Sequence, residues 1–185
     1  LLYQTTGRTT EAERLYKKSL WIMENTFGKD DLALVITLNN LAFLYGSTGQ
    51  YAEAEPLFKR ALEIREKVLG DKNLPVAESL TSLGLLYVTI GRFKEAEVLM
   101  KKALEIKTAL LGSKHPDVGM GLCHLATVYY EDGRFNEAEK LLKESLEINE
   151  KVLGKDHIGI TVILNNLGAL YIATERYAEA EVLLK

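Results

Sequence analysis

The sequence predicts an all-α solenoid made of antiparallel helix hairpins that recur every 42 residues. Three observations predict this fold class: identical residue types return at fixed places, apolar residues within each unit follow a helical period, and glycines separate the segments. Self-similarity at a spacing of roughly 20 to 50 residues is typical of stacked repeats, because one unit alone cannot bury its apolar face.

Four columns of residues define the repeat. The turn column holds Gly7, Gly49, Gly91, Gly133 and Glu175. The tyrosine column holds Tyr3, Tyr45, Tyr87, Tyr129 and Tyr171. The alanine column holds Ala12, Ala54, Ala96, Ala138 and Ala180, and the closing glycines are Gly28, Gly70, Gly112 and Gly154. These columns predict one array over residues 1–185: a partial repeat 1–31, repeats 32–73, 74–115 and 116–157, and a partial repeat 158–185.

Each unit contains two amphipathic segments. In the first, Leu38, Leu41, Ala42 and Tyr45 follow the i, i+3, i+4, i+7 spacing of one helix face. Gly49 then supplies the left-handed backbone that ends a helix. The residues expected to be buried in the second helix are Tyr51, Ala54, Leu57, Phe58, Ala61, Leu62, Ile64, Val68 and Leu69. Small residues such as Ala42 and Ala54 let the two helices approach closely.

Two places depart from the pattern. Glu175 replaces the turn glycine, so either it adopts a left-handed conformation at a cost of about 1 kcal/mol or the turn is remodelled. Gly119 and Gly121 lie near the start of a predicted first helix, where glycine is unfavourable. They predict a locally softer helix over residues 118–122.

Composition excludes several classes of partner. With 23 basic and 26 acidic residues the net charge is −3, which gives nucleic acid or an anionic membrane no electrostatic reason to bind. The single cysteine, Cys123, excludes an internal disulfide and suits a reducing compartment. No apolar run approaches the ~20 residues of a membrane span, and no secretory leader opens the sequence. We therefore expect a cytoplasmic protein.

Both ends of the sequence fall inside repeats. Leu1–Thr6 match Phe43–Thr48, and Tyr177–Lys185 match Tyr51–Lys59, so we expect a fragment of a longer protein. Terminal repeats normally carry a polar outer face, and uncapped ends favour end-to-end self-association as a further possibility.

The histidine column raises the question of a metal or catalytic site. His115 and His157 share a column with Asp31 and Asn73 just before a first helix, and Pro116 follows at the first helical position. This column predicts helix starts rather than a metal or catalytic site. The sequence contains no phosphate loop, nucleophile motif or paired-cysteine motif, so we expect no enzyme, cofactor or metal.

The lysine column could be a phosphate-binding stripe or a solvated face. Its members are Lys17, Lys59, Lys101 and Lys143. A glutamate precedes each lysine by four residues, which on a helix forms an ion pair. These built-in acidic partners favour the solvated face.

The pattern of Leu38, Ala42, Tyr45, Gly49, Tyr51, Ala54, Phe58 and Ala61 resembles the tetratricopeptide repeat, over the whole chain. The 42-residue spacing and the segments LNNLAFLY, AEAEPLFKRALEIREKVLG and LGSKHPDV are similar to the kinesin light chain type of that repeat. The resemblance implies a superhelix in which the first helices line a concave groove that binds peptide segments of partners. In this type the position of Asn39 belongs to the cargo groove, and Asn165 matches it.

The side of the first helices opposite their core-facing side is the predicted partner-binding surface. Its candidate residues are Asn39, Asn40, Phe43, Thr81, Leu85, Cys123, His124, Thr127, Asn165 and Asn166. This side carries no lysine or arginine. The resemblance implies cargo peptides of tryptophan-acidic or tyrosine-acidic type, which bind basic groove residues. A neutral or mildly basic segment with apolar anchors suits this surface better.

Asparagine amides can pair with both the N–H and the C=O of an extended peptide. Alternatively, Asn39 and Asn165 cap or bridge adjacent repeats. Cys123 has two interpretations as well, a redox-sensitive thiol or a small apolar filler, and the absence of a neighbouring cation favours the filler.

Three functions fit these features. The first is a non-catalytic scaffold that binds a peptide or a partner domain in the groove. The second is the regulatory or sensor array of a larger multidomain enzyme or NTPase. The third is a self-assembling repeat module.

Overall fold

The computed structural model describes residues 8–183, and every regular element among them is helical. Its nine α-helices are α1 (Thr9–Phe27), α2 (Leu34–Ser47), α3 (Tyr51–Leu69), α4 (Leu74–Thr89), α5 (Phe93–Leu111), α6 (Pro116–Glu131), α7 (Phe135–Leu153), α8 (Thr161–Ala173) and α9 (Tyr177–Leu183). A single 3-10 turn, Ile158–Ile160, precedes α8. The predicted helical end at Leu1–Thr6, with Tyr3 and Gly7, lies outside the described residues. From α1 to α8, second helices of 19 residues alternate with first helices of 13 to 16 residues, which confirms the predicted helix hairpins.

The chain divides into two compact units, with the boundary between Leu86 and Tyr87. In the first unit, α2 and α3 form a core of five buried residues against α1. These are Leu34, Val35, Leu38, Ala61 and Ile64, with Leu20, Met23, Leu32 and Leu57 packed around them. The core arises because the apolar residues of α2 and α3 recur at helical spacing and face each other.

The end of α3 differs from the prediction. Val68 and Leu69, expected to be buried, are exposed, whereas Ile64 one turn earlier is buried. The physical reason is length: α3 has 19 residues and α2 has 14, so the last turn of α3 extends past the start of its antiparallel partner.

The helix-start column is confirmed by its hydrogen bonds. The Oδ1 atoms of Asp31 and Asn73 accept the backbone N–H groups of Ala33 and Val76 at 2.8 and 3.0 Å. The histidines act in the same way: Nδ1 of His115 accepts the N–H of Asp117 at 3.1 Å, and Nδ1 of His157 accepts the N–H of Gly159 at 3.0 Å. Each side chain satisfies a backbone donor that the start of a helix leaves free.

The turn between α8 and α9 keeps the geometry of the other turns in spite of Glu175. Gly49 and Gly133 have φ of 77° and 76°, and Glu175 has φ of 61°. Of the two alternatives for this position, the structure therefore shows the left-handed one, with a side chain where the other turns have glycine.

The lysine column forms the expected ion pairs. Lys17, Lys59, Lys101 and Lys143 each lie 2.7 Å from the glutamate four residues earlier. In the second unit these glutamates also join consecutive repeats. Glu97 of α5 accepts the Tyr129 hydroxyl at 3.0 Å and the Arg134 guanidinium at 2.7 Å.

The same contact recurs one repeat later. Glu139 of α7 accepts the Arg176 guanidinium at 2.6 Å and the Tyr171 hydroxyl at 3.5 Å. Each arginine also stacks on the tyrosine, with Arg134 at 3.9 Å from the Tyr129 ring centre and Arg176 at 4.4 Å from that of Tyr171. We call each set of glutamate, tyrosine and arginine a clasp, because it fastens one repeat to the next.

The clasps lower the pKa of both glutamates. Partial burial alone would raise the pKa of Glu97, but hydrogen bonds from Lys101, Arg134 and Tyr129 outweigh it, and the pKa falls to about 2. The hydrogen bond from Arg176 is the largest influence on Glu139; with that from Lys143 it overcomes the effect of burial, and the pKa again falls to about 2. Both glutamates are therefore held in the charged form.

The start of α6 packs closely against α7. A Cβ atom at Gly119 would overlap Nδ2 of Asn149, and the buried Ser145 hydroxyl donates to the Gly119 carbonyl at 2.7 Å. Nδ2 of Asn149 in turn donates to the Ser145 carbonyl at 2.8 Å. Close helix approach is thus the reason for glycine at this position, and α6 runs through Gly119 and Gly121 without a break. The softer helix predicted there stays a prediction about exchange rates.

Candidate functional site

In the first unit, the predicted surface is carried by α2 and α4. Phe43 is 51% exposed, and its ring makes a T-shaped contact with the buried Phe58 ring at a centroid distance of 5.0 Å. Asn39 and Asn40 are half-buried, and Oδ1 of Asn39 is enclosed without a hydrogen-bond partner among residues 8–183. On α4, the Thr81 hydroxyl donates to the Ala77 carbonyl at 2.8 Å, and Leu85 is partly exposed.

In the second unit, the predicted surface is carried by α6 and α8. Asn165 is exposed, whereas Thr127 and Asn166 are half-buried. The Thr127 hydroxyl donates to the Cys123 carbonyl at 3.1 Å, and Nδ2 of Asn166 donates to the Cys123 sulfur at 3.3 Å. These contacts bring Cys123, Thr127 and Asn166 together, across two consecutive first helices.

Cys123 lies beneath this surface rather than on it. Its side chain has no exposed area, so it offers a partner no contact. Burial raises the pKa of the thiol above its ordinary value, and the hydrogen bond from Asn166 only partly opposes this effect. The buried, neutral thiol matches the apolar filler of the two interpretations, because a reactive thiol needs access and a lowered pKa.

His124 is held neutral at the edge of the surface. Burial, followed by the nearby charge of Lys107, lowers the pKa of its imidazole to about 4. Its Nδ1 atom is enclosed and finds no hydrogen-bond partner within the described part of the chain. An unpaired buried polar atom is uncommon in native structures and is a candidate for a contact with a ligand or a water.

A cleft of about 230 Å³ opens between α6 and α8, and we call it the α6–α8 cleft. It is lined by Ala126, Thr127, Tyr130, Glu131, Leu142, Asn166 and Ala169. Ala126 and Leu142 are buried and form its apolar floor, whereas Glu131 and Ala169 are exposed and lie at its rim. Among the predicted site residues, Thr127 and Asn166 line this cleft directly.

The list of site residues predicted from the sequence left out five residues of the cleft: Ala126, Tyr130, Glu131, Leu142 and Ala169. Tyr130 is an aromatic residue directly after the tyrosine column, where the other repeats have Gly46, Val88 and Ile172. Its ring packs edge-on against Phe135 at 5.6 Å. This extra aromatic was the signal in the sequence, whereas Leu142 belongs to a second helix and enters the cleft only through tertiary packing.

Residues 8–183 contain no group of three or more histidine, cysteine, aspartate or glutamate side chains placed to hold a metal ion. None of their helices has the length and apolarity needed to span a membrane.

The fold defines a helical-repeat protein built from consecutive helix hairpins. The tetratricopeptide repeat model matches residues 1–67, 34–109, 91–151 and 117–185, so the chain belongs to the tetratricopeptide repeat family. Proteins of this fold typically serve as scaffolds for protein–protein interaction. No curated protein matches the chain.

Several solved structures are similar over nearly the whole chain. A kinesin light chain-like protein from Podosopora anserina with nearly identical TPR-like repeats has 27% identity and a TM-score of 0.82, and the match covers 98% of this chain and 86% of that one. BtubC (BKLC) from P. vanneervenii has 25% identity and a TM-score of 0.81, with 98% and 72% covered. These similarities confirm the kinesin light chain-like form of the repeat.

A Rap protein complexed with competence and sporulation factor is also similar, with 16% identity and a TM-score of 0.77. The match covers 98% of this chain and 48% of that one. At this identity the similarity shows the fold alone.

Proposed function

We propose that this chain is a non-catalytic scaffold that binds an extended peptide segment, or a segment of a partner domain, on its first helices. The proposal extends the general role of the repeat family to a particular surface. It assigns recognition to α2 and α4 in the first unit and to α6 and α8 in the second.

The α6–α8 cleft is the observation that carries the proposal. It joins Thr127 of one first helix to Asn166 of the next, and it combines an apolar floor with a few polar groups. Small concave sites of this composition are the usual form of a binding pocket. The cleft is wide enough for a single side chain of a ligand, which fits a peptide whose side chains enter successive pockets.

The first unit supplies complementary features. Oδ1 of Asn39 is enclosed and lacks a hydrogen bond, and a rotation of this half-buried side chain would let it accept a backbone N–H group from a bound segment. The half-exposed Phe43, one helical turn further along α2, offers an apolar anchor. Because Asn39 makes no such bond within the described residues, a bridging role between repeats has less support than recognition.

Selection of random peptides displayed on phage tests the proposal. We expect the wild-type chain to enrich peptides whose binding is lost in Ala169→Trp, because the indole would fill the α6–α8 cleft from an exposed position. Ala109→Trp places the same side chain at an exposed site on α5 and should leave binding unchanged. Asn39→Ala should weaken the peptides that depend on the first unit without lowering the melting temperature.

Two results would contradict parts of this proposal. Equal binding by wild type, Ala169→Trp and Asn39→Ala would place recognition elsewhere on the chain. A marked loss of stability in Asn39→Ala with unchanged binding would favour the structural role for this asparagine.

We also propose a cytoplasmic setting. Cys123 is a free, buried thiol, and proteins of oxidising compartments more often use their cysteines in disulfides. Fractionation of cells that express the native protein checks this assignment, and recovery with the secreted or membrane fraction would contradict it.

A further inference from the structure

The α6–α8 cleft carries a single charge. Glu131, the last residue of α6, is the one charged side chain among the described residues that line it. Its carboxylate makes no ion pair within residues 8–183, although Asp132 and Glu137 nearby both pair with Arg134. The equivalent positions of the other repeats hold Ser47, Thr89 and Ala173, so the charge is particular to this cleft.

The rim of the cleft presents hydrogen-bond acceptors. The Thr127 hydroxyl uses its proton on the Cys123 carbonyl, which leaves the lone pairs of its oxygen for a ligand. Asn166 uses its amide Nδ2 on the Cys123 sulfur, which leaves its carbonyl oxygen. With the Glu131 carboxylate, the rim therefore offers three acceptors. A lysine ammonium or an arginine guanidinium matches such a rim, because each is a donor with no acceptor atom.

The apolar part of the lining suits the rest of such a side chain. Ala126, Leu142 and Ala169 form an apolar surface that can cover the methylene stem of lysine or arginine while the charged end reaches the rim. Tyr130 adds an aromatic ring, whose face attracts a cation. The cleft volume of about 230 Å³ exceeds the roughly 150 Å³ of a cavity that accepts benzene, so one long side chain fits.

We propose that the α6–α8 cleft is a pocket for one lysine or arginine side chain of the bound segment. The inference rests on the proposed function, and it specifies which chemistry this part of the surface selects. Acidic side chains are disfavoured by repulsion from Glu131, and neutral apolar ones give the acceptors of the rim no donor.

Small probes test the pocket without knowledge of the partner. Nα-acetyl-lysine methylamide and its uncharged norleucine counterpart have stems of similar shape and differ in the ammonium group. Each is titrated into the full 15N-labelled chain, and the resonances of the Thr127 backbone amide and the Asn166 side-chain amide are followed. We expect saturable shifts with the lysine probe and binding about tenfold weaker with norleucine, since a hydrogen bond to a charged group is lost.

Variants of two exposed glutamates provide the matched comparison. Glu131→Gln keeps the shape and removes the charge, and we expect it to weaken the lysine probe about tenfold while leaving norleucine unchanged. Glu105→Gln makes the same change on α5, outside the cleft, and should bind both probes as wild type does. Because Glu131 has no ion pair within residues 8–183, its variant should melt at the wild-type temperature.

These experiments distinguish the proposed lysine or arginine pocket from the more general proposal of a peptide-binding scaffold. Equal affinity for the two probes, unaltered by Glu131→Gln, would overturn the basic pocket. So would the absence of saturable shifts at Thr127 and Asn166. If phage selection still returned peptides that depend on Ala169 but carry no preferred lysine or arginine, the scaffold would stand without this pocket. A lysine preference that vanishes in Glu131→Gln, in both selection and titration, is the expected result.

Discussion

Glu175 occupies the turn position at which the other repeats have glycine. Its φ of 61° lies in the left-handed region, where the Cβ atom of an L-residue meets the following carbonyl. The turn keeps its form, because the N–H of Arg176 still donates to the Tyr171 carbonyl at 2.8 Å, as that of Arg134 does to Tyr129. The turn therefore carries a local strain that the chain tolerates.

We predict that Glu175→Gly stabilises the protein. Relief of the left-handed conformation stabilises the folded state by roughly 1–2 kcal/mol, and the greater backbone entropy that a glycine loses on folding offsets roughly 0.5–1 kcal/mol of this, so the net gain is at most about 1.5 kcal/mol. Urea unfolding followed by circular dichroism measures it. Gly133→Ala imposes the same strain on a relaxed turn and should lower stability. A gain in Gly133→Ala would contradict the explanation.

Individual side chains also show why site prediction was incomplete. Cys123 and Asn165 share one column of the repeat, so a single-face argument places both on the surface. The structure buries Cys123 because Asn166 of the following first helix, α8, lies against it, whereas Asn165 is exposed on α8 itself. The place of a residue within the repeat thus determines which side of its helix it occupies. Whether that side is exposed depends on the packing of the next first helix against it.

The helices were the most predictable level of the structure. Periodicity, turn glycines and start residues are local signals, and they predicted the hairpins, the helix starts and the lysine–glutamate pairs. The ends of the second helices were less predictable, since Val68 and Leu69 continue the apolar pattern of α3 past the start of its partner. An apolar residue at the right spacing is buried only where another element faces it.

Ala54 tests the packing of the α2–α3 hairpin. Its side chain is fully buried, so Ala54→Leu should overpack the helices and cost roughly 1–3 kcal/mol. Ala52→Leu adds the same atoms to the exposed side of α3 and should leave the melting temperature unchanged. Ala96, which is also fully buried, should behave as Ala54 does. Equal melting temperatures for Ala54→Leu and wild type would refute the close-packed assignment.

At the scale of the whole molecule, the clasps are long-range contacts. The sequence shows that their residues recur in columns, but it does not show which residues pair. The arginines follow the turn column at positions 92, 134 and 176, and the glutamates flank the alanine column. Their pairing spans 32 to 37 residues, so no helical spacing reveals it. The glutamate partners of the lysines could be predicted from the sequence, because residues four apart lie about one helical turn apart on the same side of a helix.

We predict that the clasps make the second unit sensitive to acid. The pKa values of Glu97 and Glu139 are about 2 in the folded protein, below the ordinary value of 4.5. Their stabilisation is therefore complete above pH 4.5 and is lost as the pH falls toward 2. Urea midpoints measured between pH 7 and pH 2 should decline over this window.

The double variant Glu97→Gln with Glu139→Gln checks the cause of this decline. At neutral pH each substitution should cost about 2 kcal/mol, because a partly buried charged acceptor is lost. Between pH 4.5 and 2 the double variant should lose less stability than wild type. Glu105→Gln should keep the full wild-type decline, and a decline of wild-type size in the double variant would assign acid sensitivity to other groups.

The packing of Gly119 against Asn149 has a consequence for how such arrays change over evolutionary time. Gly119 belongs to the first helix of its hairpin and Asn149 to the second, so the two positions are matched within one hairpin. Recombination that joined α6 to a copy of α5 would bring Lys107 to the buried place of Asn149 and leave a charge there without a partner. Crossovers between hairpins keep this matched pair intact, so we expect this hairpin to be duplicated as a whole.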